Sequence, residues 1–251
     1  MIRFLTIFFF LISFYTAAQE EKSAFKKGEA LKYRIHYGLV NAGYATLGIQ
    51  EKENQYHFIG KGWTVGITNW FFKVRDQYES YVDKSDELPT HFVRNVNEGG
   101  YKINREVYFN QPTKKARVED HKRNTTKEFK IDNVQDLLSA FYKLRNSDID
   151  TMKVGESVKM DLFIDNETFA FKLVLKGKET ISSKFGKIPC YEFRPYVQSG
   201  RIFKEEESLT IWISADKNKI PVRIKASLAV GSLKIDLTRH EGLSHAFPEN
   251  L

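Results

Sequence analysis

One cysteine, Cys190, stands among 251 residues, so no disulfide can form within the chain. Motifs of covalent and metal chemistry are missing as well. There is no G-x-S-x-G elbow, no H-E-x-x-H pair and no glycine-rich phosphate loop. The six histidines are His36, His57, His91, His121, His240 and His245. None forms a compact ligand pair at helical spacing, and no motif asks for a metal or a cofactor. No apolar run reaches the roughly 20 residues that a membrane-spanning helix needs. Charge of one sign is not concentrated either. The chain holds 39 basic and 32 acidic residues, a net +7, but the two signs are interleaved. The longest basic stretch, Lys114 to Arg123, is broken by Glu119 and Asp120. A nucleic-acid footprint needs a denser stripe, so no nucleic-acid partner is expected. A mild attraction to anionic lipid or acidic glycan is compatible with the excess.

What is present begins at the N-terminus. Arg3 precedes the apolar run Phe4 to Phe14, and small residues Thr16-Ala17-Ala18 follow before Gln19 and the charged Glu20-Glu21-Lys22. Charge, apolar core and small-residue site are the three parts of a secretory signal peptide. Residues 1–19 are expected to be this signal, cleaved on export to the periplasm or beyond. Residues 20–251 are then a single β-rich domain with no transmembrane span. No cysteine sits at the junction, so lipid modification there is not expected. In an oxidising compartment a lone thiol is safest in a core, and Ile188-Pro189-Cys190-Tyr191 reads as core.

Alternation dominates the rest. In Leu31-Lys32-Tyr33-Arg34-Ile35-His36-Tyr37 every odd residue is apolar or aromatic and every even one polar. Successive strand side chains point to opposite faces, so such a segment has one wet and one dry side. The same period recurs in Ala45–Gln50, Val158–Leu162, Phe169–Leu173 and Leu233–Leu237. Gly231-Ser232 marks a hairpin turn between the last of these and the run from Ile220 to Val230. A dozen or more short strands predict a mainly β fold: a curved antiparallel sheet forming a half-barrel, open barrel or two-sheet arrangement. One main helix is expected over about 133–146, from the helical spacing of Val134, Leu137, Leu138, Phe141, Tyr142 and Leu144, with Asp132 or Asn133 as its cap. A shorter helical turn is expected at Ile67 to Val74.

Four blocks in order carry a resemblance. They are Phe25-Lys26-Lys27-Gly28-Glu29-Ala30-Leu31-Lys32-Tyr33 with Asn41-Ala42-Gly43; Asp76-Gln77-Tyr78-Glu79-Ser80-Tyr81-Val82-Asp83; Asp136-Leu137-Leu138-Ser139-Ala140-Phe141-Tyr142 with Leu144-Arg145; and Leu209-Thr210-Ile211-Trp212-Ile213-Ser214-Ala215-Asp216 with Ile220-Pro221-Val222. Together they resemble the family called domain of unknown function 3108, over essentially the whole mature chain. The resemblance implies an exported protein of Gram-negative bacteria. It also implies an architecture similar to the open β half-barrels that carry lipids or lipoproteins across the periplasm, an analogy of fold that does not fix function.

Aromatic residues are the best internal clue to a ligand. The chain has 20 Phe, 12 Tyr and 3 Trp. Trp63, Trp70, Phe71 and Phe72 surround the irregular Gly66-Ile67-Thr68-Asn69, and with Tyr78 and Tyr81 they are the candidate ligand-binding residues. Core packing is the alternative for all six. The leading expectation is a non-catalytic binding or carrier module that holds an apolar or amphipathic envelope molecule, lipid or lipoprotein, in the concave face. A glycan-binding or glycan-cleaving envelope enzyme is the second. Its best carboxylate run is Glu205-Glu206-Glu207, of which Glu205 and Glu207 would share a strand face. A structural partner in an envelope complex, joined through edge strands, is the third.

Overall fold

The computed structural model describes residues 23–197 and 208–249. The expected signal segment and the Glu205-Glu206-Glu207 run lie outside the described residues.

Among the described residues, fourteen strands form one antiparallel sheet. In chain order they are β1 (Ala30–Tyr37), β2 (Val40–Lys52), β3 (Gln55–Thr64), then helix α1 (Gly66–Phe71), β4 (Arg75–Asp83), β5 (Pro89–Glu98), β6 (Tyr101–Asn110), β7 (Lys115–Asp120) and β8 (Thr125–Lys130). Helix α2 (Leu137–Asn146) follows, then β9 (Ser157–Ile164), β10 (Glu167–Ser183), β11 (Gly186–Val197), β12 (Leu209–Ser214), β13 (Pro221–Ser227) and β14 (Ser232–Glu241). Neighbours in sequence pair antiparallel except β8 and β9, and β1 pairs with β14. The spatial order therefore runs β8 to β1, then β14 back to β9, leaving β8 and β9 as the two edges. The expected curved antiparallel sheet is this one, and it is not closed by backbone pairing.

The edges still meet. Phe163 of β9 packs edge-on against Phe109 of β6, centroids 6.0 Å apart, and stands 5.7 Å from Phe129 of β8. Beside them Asp165, on the β9–β10 turn, accepts hydrogen bonds from Arg94 of β5 at 2.6 Å and Arg105 of β6 at 3.2 Å. Between β8 and β9 themselves, side chains and not an N–H···O=C ladder thus fasten the seam.

Helix α2 fills one end of the curled sheet. Leu138 and Tyr142 join the core of β2–β4, Leu144 joins the core of β10–β12, and Ala140 packs on Leu162 and Ile164 of β9. It starts later than the sequence reading placed it. The chain first bends at Asp132-Asn133, where Asn133 has φ 48°, and Gln135 then pairs with the outer edge of β9, exchanging backbone bonds with Asp161 and Phe163. The cap is Asp136, whose carboxylate accepts the N–H groups of Leu138 and Ser139 while the Ser139 hydroxyl accepts the Asp136 N–H. Ser80 of β4 donates to the same carboxylate at 2.6 Å.

The other end of α2 is held by Arg145, which is 1% exposed. Its guanidinium donates to both carboxylate oxygens of buried Glu29, at 2.5 and 2.7 Å. It also donates to the carbonyls of Ala24 and Asn218, each at 2.9 Å. One side chain so ties the helix to the start of β1, to the N-terminal segment and to the β12–β13 turn. The Asn218 side chain in turn donates to the His245 and Ala246 carbonyls and brings in the C-terminal segment. This is the helix end of the molecule. The opposite end carries α1 and the β1–β2, β5–β6, β7–β8, β9–β10 and β13–β14 turns, as the antiparallel order requires; we term it the rim.

Two predictions follow from α2. Removing one partner of a buried, hydrogen-bonded ion pair leaves the other charge uncompensated, at a cost of about 3–5 kcal/mol. Arg145→Ala should lower the urea-unfolding free energy by about that amount, and Arg145→Lys should not restore it, because an ammonium cannot reproduce the fork. Burial pushes the Asp136 carboxyl up to about 6, against the hydrogen bonds from Ser80, Ser139 and Leu138, from an ordinary 3.8. The folded state then keeps a proton that the unfolded state releases. Its contribution is complete below the unfolded value and is lost as pH rises through about 6. Relative to Asp136→Asn, which still accepts the cap bonds, the native protein should lose stability as pH rises across that window. Parallel pH profiles for the two proteins would refute this assignment.

Candidate functional site

Strand parity sorts the candidate residues. Tyr78 and Tyr81 are three apart on β4, so they must lie on opposite faces. Tyr78 is on the inner face, stacked on Phe92 at 6.3 Å, and burial raises the pKa of its hydroxyl. Tyr81 is on the outer face, sandwiched between His57 of β3 at 4.2 Å and His91 of β5 at 5.3 Å. The row continues through Tyr108 of β6, 4.4 Å from His91, to the guanidinium of Arg117 of β7 at 4.6 Å. Carboxylates run alongside. Glu79 accepts from His57 at 2.7 Å and Glu106 from His91 at 2.7 Å. Partial burial works against ionisation of Glu79 and Glu106, but their hydrogen bonds prevail and hold both carboxyls below the usual range. In this row ring faces are spent on one another, so the Tyr81 ring has no free face to offer a sugar.

Trp63 also lies on the outer face, 6.0 Å from Tyr44 of β2. It borders a trough of about 400 Å³ with Lys61, Arg75, Gln77, Asn95 and Asn97. The trough adjoins a second of about 410 Å³ that shares Asn95 and Asn97.

The inner face is not apolar throughout. Toward the helix end it is filled by the apolar clusters around α2. Toward the rim it carries ionic side chains: Arg105 bonds Asp120 at 3.0 Å as well as Asp165. Burial opposes the charge on Asp120, yet the bonds from Arg105 and the Arg123 N–H keep its carboxyl below the ordinary value. Glu98 is raised by burial and by its hydrogen bond with Asp76. Carboxyls that share a hydrogen bond are too close to be the pair of a glycosidase, which stands about 5–10 Å apart. The cavities described there, beside Phe163 and beside Asp120, measure about 10 and about 110 Å³. Pockets for acyl-sized ligands run to about 300–1,000 Å³.

Trp70, Phe71 and Phe72 lie elsewhere, on the rim. Among the described residues, the exposed large hydrophobics other than Leu137 and Val154 all belong to this end. Tyr37, Leu39 and Val40 come from the β1–β2 turn, Ile67, Trp70, Phe71 and Phe72 from α1 and its cap, Tyr101 from the β5–β6 turn, and Leu228 and Val230 from the β13–β14 turn. Sequence reasoning missed Tyr37, Leu39, Val40, Tyr101, Leu228 and Val230. Each sits next to a glycine turn that could have signalled it.

Helix α1 is amphipathic the wrong way round. Ile67, Trp70 and Phe71 share one helical face at i, i+3 and i+4, and they are 63%, 82% and 75% exposed. Thr68 and Asn69 occupy the half-buried side. Thr64 fastens that side: its hydroxyl donates to the Phe72 carbonyl at 3.1 Å and accepts the Val74 N–H at 2.9 Å. A surface helix in water normally turns its apolar face inward.

Two glycines hold the rim in shape. The Phe72 ring lies where a Cβ on Gly99 would be, and the Tyr37 ring lies where one on Gly231 would be. Both glycines have positive φ, 53° and 72°. The Tyr37 hydroxyl donates to the Val230 carbonyl at 2.7 Å, and the Val65 N–H donates to the Ala42 carbonyl at 3.0 Å. Adjacent turns are thereby linked into one surface.

Other chemistry is sparse. Cys190 is buried, and burial pushes its thiol up to about 12, in keeping with a core residue. Among the described residues no cluster of His, Cys, Asp or Glu is placed to hold a metal, and no helix is long and apolar enough to cross a membrane.

Comparison with curated proteins gives no match. Among solved structures, a β-barrel-like protein of domain of unknown function DUF1849 from Brucella abortus is similar in fold, with TM-score 0.57 and 12% identity over 86% of this chain and 97% of that one. A Bacteroides fragilis protein described as exported, with a YmcC-like fold, aligns at TM-score 0.32 and 8% identity over 86% of this chain and 96% of its own. That score is too low to carry an argument. The match that decides kinship is to a family model, over residues 32–238, and by it the chain belongs to the protein family of unknown function DUF3108.

Proposed function

We propose that this chain is an exported, non-catalytic binding module of the cell envelope, and that its ligand is an acyl-bearing amphiphile, a lipid or lipoprotein. The ligand is engaged at the rim, not in the concavity. The observation that carries the reading is the gathering of exposed apolar side chains at one end, with α1 turned apolar side out. Contiguous apolar surface of this kind marks an interaction site. Each large apolar side chain moved from water into hydrocarbon gains about 1.5–3 kcal/mol. The N-terminal run from Arg3 to Ala18 fits an exported chain.

A second reading rests on the outer-face trough. Trp63, with the amides of Gln77, Asn95 and Asn97, offers a ring and hydrogen-bonding groups suited to a glycan.

A lysophospholipid held below its micellar concentration tests the first reading. It should bind the native protein, as measured by isothermal titration calorimetry, a readout that does not depend on the indoles being replaced. The triple variant Ile67→Ser, Trp70→Ser, Phe71→Ser should bind at least about tenfold more weakly, with an unfolding free energy within about 0.5–1 kcal/mol of native because the three side chains face solvent. Equal binding by both proteins would defeat it. Loss of binding on Trp63→Ala alone, with the triple variant unaffected, would move the site to the trough.

A further inference from the structure

We infer that the rim seats on the surface of an anionic lipid bilayer, with α1 as the element that enters the interface. This rests on the reading above and narrows it from an amphiphile to an extended surface.

Breadth is the first reason. The apolar turns belong to strands that are consecutive in the sheet from β6 round to β13. At about 4.8 Å between strands, the seven spacings span an arc of roughly 34 Å. One acyl chain cannot cover that width; a membrane surface can.

Charge is the second. Basic residues flank the apolar ones: Lys73 and Arg75 follow Phe72, Lys102 follows Tyr101, and Lys225 and Lys234 bracket Leu228 and Val230. Among the described residues, the acidic groups at this end are paired. Asp120 and Asp165 are bonded by Arg105, and Asp76 and Glu98 share a hydrogen bond. Glu167, at the start of β10, lies beyond the apolar arc. The pattern left facing out among the described residues is apolar side chains with a positive border. Interfacial segments look like this, the rings lying at headgroup depth and the Lys and Arg heads reaching anionic lipid. The same border disfavours a second copy of the chain, since two rims face to face would oppose like charges.

Orientation is the third. The helix end is closed by Arg145, Glu29 and Asn218, and no comparable run of exposed apolar turns exists there among the described residues. The molecule has one end suited to lipid and would stand on the bilayer with its strands pointing away from it.

The test uses the full mature chain with Trp63→Phe and Trp212→Phe, so that Trp70 is the only indole. Vesicles of phosphatidylcholine alone are compared with phosphatidylcholine mixed with phosphatidylglycerol, by flotation and by quenching from brominated acyl chains. The protein should float with the phosphatidylglycerol vesicles, and Trp70 should be quenched most by bromines near the headgroups. Raising salt to ~0.5 M, or the pair Lys73→Glu and Lys102→Glu, should weaken binding about tenfold or more. Monomeric lysophospholipid binding with no flotation would overturn this inference and leave the proposed function standing. Failure of both would remove both. Equal flotation with neutral vesicles would overturn the anionic assignment. Concentration-dependent dimerisation, abolished by the triple serine variant, would give the rim to a second copy and overturn the bilayer.

Discussion

The buried contact between Arg145 and Glu29 is the constraint on which the fold's closed end depends. Two charges taken out of water are costly unless each finds partners for its whole hydrogen-bonding capacity. Here the guanidinium meets a bidentate carboxylate and two backbone carbonyls, with the rings of Phe25, Phe141 and Tyr142 around it. Burial disfavours its charge, yet the carboxylate keeps it firmly protonated. The neighbouring phenols of Tyr33 and Tyr142 are buried and held neutral by desolvation, and their hydroxyls find no partner among the described residues. So polar a centre in an apolar surround fits one arrangement of helix, first strand and β12–β13 turn, and tolerates little slippage among them.

That arrangement lets the two ends of the sheet diverge in character. With one end occupied by α2 and the chain termini, the apolar side chains of the middle strands have a core to enter. The turns at the far end have none. Their aromatic rings settle on neighbouring glycines or remain in solvent. The outer surface differs again: histidine, tyrosine and arginine stand in one row across five strands, with carboxylates beside them, and supply the sheet's wet side with its own lateral cohesion.

Much of this was legible in the sequence. Alternation in Leu31–Tyr37 gave the strand and its faces, and parity alone separates Tyr78 from Tyr81. The start of α2 was not legible, because Asp132, Asn133 and Asp136 are all competent caps. What chooses among them is the pairing of Gln135 with β9, a contact between distant elements. The joining of β1 to β14 and the meeting of Glu29 with Arg145, 116 residues apart, leave no periodic trace either. Of the candidate ligand residues, Trp70, Phe71 and Phe72 share a surface with Ile67, and the i, i+3, i+4 spacing of Ile67, Trp70 and Phe71 was there to be read. Its direction was not, since the same spacing serves a helix facing inward.

The seam between β8 and β9 gives the molecule a built-in line of weakness. Every other strand boundary is crossed by a ladder of amide bonds that must break together, whereas this one is crossed by a few rings, one shared carboxylate and, at the helix end, the two backbone bonds of Gln135. Thermal opening should therefore start along that line, with β8 peeling away as a flap while the rest of the sheet keeps its pairing. Amide exchange would register this as early deuterium uptake confined to Thr125–Lys130 and the first half of β9, long before the strands around β1 and β14 exchange.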